Sequence, residues 1–285
     1  MRVHFVANTY RPDAISSANE AAQWLTSQGH TVGTDSESGR HVELPVVPNA
    51  VFGQADLVVA FGGDGTLIRA VHLCADQGTP ILGVYHGRFG FVTQCTSDGV
   101  KGCLAEFLAG RSVIESRMML DAELLRAGQP VARVSALNET VLQRAVVARM
   151  MTFEVTVDGL DLTNYPADGV IVATPTGSTA YNLSAGGPIV DPRVQALIVT
   201  AIAPHTLNSR TLVLDKNSVI TLKVDSRGDA VLSADGQTRL HLLSGDEVRV
   251  CKSDRVTNLV IVDKNDFLLK LGQRLLWTYS VGDLP

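Results

Sequence analysis

The chain has 285 residues, 45% of them hydrophobic and 19% charged, which is ordinary for a folded protein and excludes wholesale disorder. At roughly 150 residues per domain this length accommodates about two domains with a sizeable core. With 24 basic against 29 acidic residues the formal charge is −5 and no block of like charges stands out, so no large nucleic-acid surface is expected, though a local site can still hold a small anion.

The N-terminus, MRVHFVANTYRPDAIS, lacks the apolar stretch of a signal peptide. The long uncharged stretch at 169–190 is interspersed with Gly, Pro, Thr, Ser and Asn and does not supply the roughly 20 apolar residues of a membrane span. Cys74, Cys95, Cys103 and Cys251 include no C-x-x-C pair, so zinc-ribbon and thioredoxin-like sites have no support. Reduced thiols in a cytoplasmic protein are the expectation.

In chain order, VHFVAN around Val3, Phe5 and Ala7 is strand-like, and residues 14–28 are helical in composition up to a C-cap signal at Gly29. Residues 35–53 have weak pattern and are expected to form a surface loop. A buried-strand pattern at 56–61 runs into glycines, 66–77 are helical up to Gly78, and 80–84 are another apolar run. This alternation predicts an α/β layer with a mainly parallel, Rossmann-like sheet. Residues 97–109 read as one more helix, closed by Gly110. After Arg117 the texture becomes mostly β: short β-branched runs at 131–134, 153–157, 219–224 and 248–250, with turn signals at Asp158-Gly159, Asp235-Gly236 and Gly245-Asp246. The last stretch, VTNLVIVD and then LLKLGQRLLW, returns to strand and helix texture.

Chemistry is concentrated in a few segments. Gly62-Gly63-Asp64-Gly65-Thr66 lies between an apolar strand and a helix. Glycines there let a ligand approach the backbone, and the helix N-terminus offers unpaired N–H groups to a phosphate. A carboxylate repels phosphate, so Asp64 makes sense as a metal-bridging ligand or as a base facing a hydroxyl. The bland alternative is a tight turn with Asp64 as helix N-cap. Walker and Gly-x-Gly-x-x-Gly fingerprints are both missing from the sequence. Residues 83–91, GVYHGRFGF, follow the next strand and should reach the same sheet edge, with Phe91 placed to cover a ring. Asn138-Glu139 pairs an amide suited to adenine edges with a carboxylate able to accept from ribose hydroxyls. In a strand the two would face opposite sides, so both reach one ligand only if a turn or bulge intervenes, and such a dipeptide alone is more often solvated surface. Asp168-Gly169, TPTGSTAY over 174–181 and SAGGP over 184–188 are dense in small and hydroxyl residues, which suits a polyhydroxylated ligand. The seven histidines show no metal-ligand spacing, and Ser178 is not in a nucleophile elbow.

The ordered set GGDGT, Asn-Glu, and DG followed by TPTGSTAYNLSAGGP resembles the NAD kinase family, and GRFGF, Arg117-Met-Met-Leu120 and Ala203-Pro-His-Thr-Leu207 fit it too. GGDG alone is shared with phosphofructokinases and diacylglycerol-type lipid kinases; the block from Asp168 to Pro188 is the specific part. The resemblance implies transfer of the terminal phosphoryl group of ATP, or of polyphosphate in some members, to the 2′-hydroxyl of the adenosine ribose of NAD, giving NADP. It implies an α/β domain over 1–116 plus about 256–285 and a mostly-β NAD-binding domain over 117–255. It also implies a divalent cation (Mg2+ or Mn2+) with the nucleotide and a homodimer or homotetramer, with small-molecule nucleotides as partners and neither nucleic acid nor membrane.

By that pattern Asp64 is the proton acceptor, Gly65 lies against the nucleotide and Phe91 near its adenine. Asn138 and Glu139 bind the adenosine of NAD, and Asp168 contacts the nicotinamide end from a neighbouring subunit. Thr179, Ala180, Tyr181, Asn182, Leu183 and Ser184 line the NAD site, and Arg149 and Gln237 contribute. Tyr85-His86, Phe89 and Pro166 depart from the commoner residues of the family, the last at a position tied to NAD-versus-NADH preference. A lipid or sugar-phosphate kinase would call for an exposed apolar entry surface or for more arginine. A nucleotide sensor without catalysis would not need Asp64 among its glycines.

Overall fold

The computed structural model spans the sequence and describes residues 1–74, 76–87, 90–145, 151–224, 230–243, 245–263 and 266–274. The chain divides into two compact units, one of residues 1–116 with the chain from 257 onward, the other of residues 117–256.

In the first unit four parallel strands lie in the order Thr31–Thr34, Arg2–Ala7, Leu57–Gly62, Ile81–Tyr85. The end of Glu247–Ile261 adds in parallel, Leu259 opposite Ile81, and Cys95–Thr96 pairs with Val84 and Tyr85. The central strands are continuous apolar runs because both faces are covered. On one face Phe5, Val59, Phe61 and Val84 pack with the helices Pro12–Ser27 and Val100–Leu108. The first helix meets them with Ala14, Ala18, Ala21 and Leu25, an apolar stripe at helical spacing whose small residues allow close approach. The helix Asp64–Cys74 packs on Leu57–Gly62 and Ile81–Tyr85, with Leu67 over Gly83, where a Cβ would stand 2.7 Å from Leu67 Cδ1. The helices start or end within a few residues of expectation.

Residues 35–53 are not the simple surface loop that their weak pattern predicts. Ser38 is fully buried: its Oγ accepts the Ala7 N–H at 2.8 Å and donates to the Ala7 carbonyl at 3.3 Å. Val42 and Phe52 are buried with it, and Asn49–Phe52 forms a short helix. Side-chain pairing with the end of a strand holds this segment down, and such pairing leaves no periodic signature.

The second unit is a sandwich of two antiparallel sheets. One runs Leu160–Ala167, Met151–Val157, Ile220–Val224, Glu247–Ile261, Val113–Arg126, Gln129–Ala136. The other runs Leu212–Asp215, Ala196–Ile202, Gly169–Ala173, Glu139–Arg144, Ala230–Ala234, Thr238–Leu242. Phe153, Val155 and Leu222 of the first sheet meet Leu142, Val170, Val172, Val199 and Leu232 of the second in one core. The outer face of the second sheet is covered as well: Val141, Ile171, Ala173 and Ile198 pack against Ala185 and Val190. Gly169–Ala173 is therefore buried on both sides, which accounts for its lack of charge. Among the described residues no helix is long and apolar enough to cross a membrane.

Phe153 is fully buried in the sandwich core. Phe153→Ala should cost about 3–5 kcal/mol, read as a lowered midpoint in urea unfolding; a change below about 1 kcal/mol would mean that this core does not hold the second unit together.

Candidate functional site

In the first unit the C-terminal ends of two strands lie side by side, Gly62 opposite Tyr85, and the His86 N–H donates to the Gly62 carbonyl at 3.0 Å. The GGDGT segment and the glycine loop after Tyr85 thus share one sheet edge, the place where α/β sheets hold ligands. The helix begins at Asp64 itself, so its side chain is not the N-cap of the bland alternative. Its carboxylate instead accepts three backbone N–H groups: Phe91 on Oδ2 at 2.8 Å, and Val92 and Thr93 on Oδ1 at 3.2 Å each. Gly90 makes this possible, because a Cβ there would overlap the carboxylate.

Lys270, buried on the helix Asp266–Arg274, donates its ammonium to the carbonyls of Phe91, at 3.4 Å, and Thr93. Residues 91–93 are therefore held by a carboxylate through their N–H groups and by a cation through their carbonyls, both charge-assisted contacts. Asp64 and Phe91 are half-buried and Gly65 is exposed. A Cβ on Gly63 or Gly65 would meet nothing within 4 Å, and neither residue has positive φ. Nothing in this chain's own packing requires glycine at these two positions, so the open space is available to a ligand. His86 is 5% exposed, its Nδ1 3.6 Å from Asp13, and burial holds its imidazole below the usual range.

In the second unit Asn138 occupies the bend between Gln129–Ala136 and Glu139–Arg144. A turn does intervene, and the pair is not solvated surface: each residue is 7% exposed. Asn138 Oδ1 and Glu139 Oε2 are enclosed without a hydrogen-bond partner. Burial, and then the charge of Asp235, push the Glu139 carboxyl up to about 8, against a hydrogen bond from the Tyr181 backbone. Near neutral pH it is mostly protonated and can donate as well as accept.

Asp235, legible in the sequence only as half of an Asp-Gly turn, is a central organiser. Its carboxylate accepts the N–H groups of Leu137 and Asn138 at 2.8 Å and of Glu139 at 3.2 Å. It sits at φ +49° in the hairpin that follows Ala230–Ala234, whose end pairs with Thr140. Gln237 lies in the same turn, its N–H donating to the Ala234 carbonyl.

Residues 174–190 close over this edge. The Thr174 N–H donates to the Asn138 carbonyl at 2.8 Å, and Thr174 Oγ1 to the Leu137 carbonyl at 2.6 Å. Gly177 rests on the Asn138 backbone, where a Cβ would overlap the carbonyl. Asn182, expected among the ligand contacts, is fully buried and its amide is engaged inside the protein. It donates to the Ser178 and Pro188 carbonyls at 3.1 Å and accepts from Thr200 Oγ1 at 2.7 Å. Its side chain locks the segment rather than lining its surface. Thr179, Ala180 and Leu183 are half-buried, and Tyr181 and Ser184 are exposed.

Asp168 stands apart. It precedes Gly169–Ala173, at the opposite end of that strand from Thr174, and pairs with Arg144 at 2.9 Å. Five residues of strand separate the two ends, roughly 16 Å. Within one copy of this unit, Asp168 is not brought to Asn138 and Glu139. Arg149 and Phe89 lie outside the described residues.

No group of three or more His, Cys, Asp or Glu suited to a metal occurs among the described residues. A Mg2+-type ion needs only one or two carboxylates when a nucleotide supplies phosphate oxygens, and Asp64 at the glycine loop fits that demand.

The ATP-NAD kinase N-terminal domain model matches residues 3–112, and the ATP-NAD kinase C-terminal domain model matches residues 137–262. The NAD kinase of Symbiobacterium thermophilum is 41% identical over 277 residues, covering 96% of this chain and 98% of that protein. The NAD kinase of Syntrophotalea carbinolica is 38% identical over 280 residues, covering 97% and 98%. Yeast NADH kinase complexed with NADH superposes with a TM-score of 0.92 at 27% identity, covering 100% of this chain and 90% of that one. An NAD kinase from Archaeoglobus fulgidus in complex with ATP shares the fold, with a TM-score of 0.78 at 24% identity over 96% of this chain and 98% of that one. Fold and sequence define a phosphotransferase built from an α/β unit and a β-sandwich. The chain belongs to the NAD kinase family.

Between pH 4.5, the ordinary value for a glutamate carboxyl, and about 8, folded Glu139 keeps a proton that the unfolded chain has lost. The stability of the fold therefore declines as pH rises through that window. Glu139→Gln should remove this contribution: urea midpoints at pH 5, 6.5 and 8 should fall less steeply for the variant. Parallel profiles for the two proteins would contradict the buried, protonated carboxyl.

Proposed function

We propose that this chain transfers the terminal phosphoryl group of ATP to the 2′-hydroxyl of the adenosine ribose of NAD, giving NADP. The observation that carries this is the pair of enclosed, unpartnered oxygens on Asn138 and Glu139, at an edge built to receive a polyhydroxylated ligand. The Asn138 amide suits an adenine edge, and a protonated Glu139 can donate to one ribose oxygen while accepting from another. Thr179, Ala180, Tyr181, Leu183 and Ser184 complete the NAD side, with Gln237 and Arg149 as further contacts. Asn182 keeps that segment in shape.

At the glycine loop the phosphate chain lies against Gly63 and Gly65, where the backbone is open, and Phe91 flanks the adenine of the nucleotide. Asp64, together with the phosphates, would hold a divalent cation, Mg2+ or Mn2+, which would supply charge neutralisation. Asp64 orients the 2′-hydroxyl and takes its proton. Aspartate carboxylates, with pKa near 4 in water, are weak bases for an alcohol. Phosphoryl transfer is commonly loose, so the proton leaves late and positioning carries most of the effect. The amides of residues 91–93 serve that positioning.

The protein acts as a cytoplasmic homodimer or homotetramer. The separation of Asp168 from Asn138 along its strand supports a role for Asp168 at the nicotinamide end of a neighbouring copy's NAD.

Incubation with NAD, ATP and Mg2+, coupled to an NADP-specific dehydrogenase, should give signal; binding without signal would make the protein a sensor. Arms with NADH, the ligand of the yeast neighbour, and with polyphosphate define acceptor and donor. Asp64→Asn should fold and lose at least about a hundredfold in kcat; near-native turnover would remove Asp64 from the chemistry. Asp64→Asn and Asp168→Ala copies, each of low activity, should regain activity when co-assembled, and no recovery would count against a shared site.

A further inference from the structure

Cys95 and Cys103 bring their Sγ atoms to 2.7 Å. That is close to the ~2.05 Å of a disulfide and far inside comfortable non-bonded contact. Both partners sit on fixed backbone. Cys95 is in the strand Cys95–Thr96, pinned by its pairing with Val84. Cys103 is on the helix Val100–Leu108, whose entry is set by the Gly99 N–H donating to the Thr96 carbonyl at 3.1 Å and the Cys103 N–H donating to the Gly99 carbonyl at 3.0 Å. The two thiols differ in access. Cys95 is 1% exposed, whereas Cys103 is half-buried and lines a cavity of about 380 Å³ together with Gly99, Gly102, Glu106 and Arg111.

We propose that Cys95 and Cys103 form a redox-modification site, in which a hydroperoxide entering this cavity converts the two thiols reversibly into an intramolecular disulfide. The Cys103 thiolate attacks the terminal peroxide oxygen and breaks the O–O bond; alkoxide, or hydroxide in the case of hydrogen peroxide, leaves and Cys103 becomes a sulfenic acid. The Cys95 sulfur then attacks the Cys103 sulfur. The S–O bond breaks, the Cys95 proton leaves with the oxygen as water, and the S–S bond closes. Two electrons pass from the thiols to the peroxide, and a dithiol returns them.

The division of roles follows from the pair itself. The hydrogen bond from Cys95 holds the Cys103 thiol below its usual range, while that same donor role and burial hold the proton on Cys95. The other two cysteines contrast with them: burial pushes Cys74 up to about 12 and also raises Cys251. Cys95 follows Thr93 by two residues, so the cross-link would tie the continuation of the Asp64-binding segment to the first turns of a helix.

The test is thiol titration and peptide mapping of the reduced, full-length protein after stoichiometric hydrogen peroxide. The four free thiols should fall to two, with a Cys95–Cys103 linked peptide that dithiothreitol reverses. Closing so short a loop should raise Tm by about 5 °C. Cys103→Ser should keep all three remaining thiols under the same treatment. Cys95→Ser should leave a sulfenic acid on Cys103 that dimedone traps, and both variants should keep NAD-phosphorylating activity as proof of folding. Four surviving thiols in the wild type, loss confined to Cys74 or Cys251, or cross-linking only between molecules would each overturn the proposal.

Discussion

The first unit's site depends on one electrostatic arrangement: a carboxylate and an ammonium hold the same short stretch of backbone. Asp64 takes the N–H groups of residues 91–93, and Lys270 donates to the carbonyls of Phe91 and Thr93. Each contact is charge-assisted and at least half-buried, so each is worth more than a neutral surface hydrogen bond. Gly90 exists in this arrangement to leave room for the carboxylate, and Gly83 to leave room for Leu67 beneath it. Gly63 and Gly65 have no such internal reason: a Cβ on either would meet only open space.

The second unit repeats the device with different residues. Asp235 holds the backbone of Leu137, Asn138 and Glu139 through their N–H groups, as Asp64 holds 91–93. In both places a carboxylate on one element fixes a short stretch of another, so that polar groups which would otherwise wander are held in place. The cost in the second unit is visible at Glu139, whose charge is disfavoured by burial and by Asp235. An acid kept protonated gains a donor, which a sugar ring with several hydroxyls can use.

Much of this was legible in the sequence. Apolar runs ending in glycine, together with helical stretches closed at Gly29 and Gly78, marked the parallel sheet and its helices, because burial on both faces forces continuous hydrophobicity. The uncharged stretch after Asp168 marked a buried strand at 169–173, whereas the cover that Ala185 and Val190 give the second sheet was not legible. Residues that act through backbone groups were not legible. Ser38, Asp235 and Lys270 look like a loop serine, a turn aspartate and a surface lysine until the partner N–H or carbonyl is placed beside them. That the Asn182 amide braces its own loop was likewise not legible, because its partners are carbonyls and a hydroxyl that only the folded chain brings to it. The separation of Asp168 from Asn138 follows from strand pairing, which puts Asp168 and the nearby residues from Thr174 onward at opposite ends of one strand.

In the proposed reaction the Asp64 carboxylate, steadied by the amides of 91–93, faces the oxygen that receives the phosphoryl group. A crystal structure with NAD and a non-hydrolysable ATP analogue tests it most directly. The adenosine 2′ oxygen should lie within about 3.2 Å of an Asp64 carboxylate oxygen, or be joined to it through one water. A complex in which that oxygen is beyond such reach, with another side chain beside it, would contradict the account.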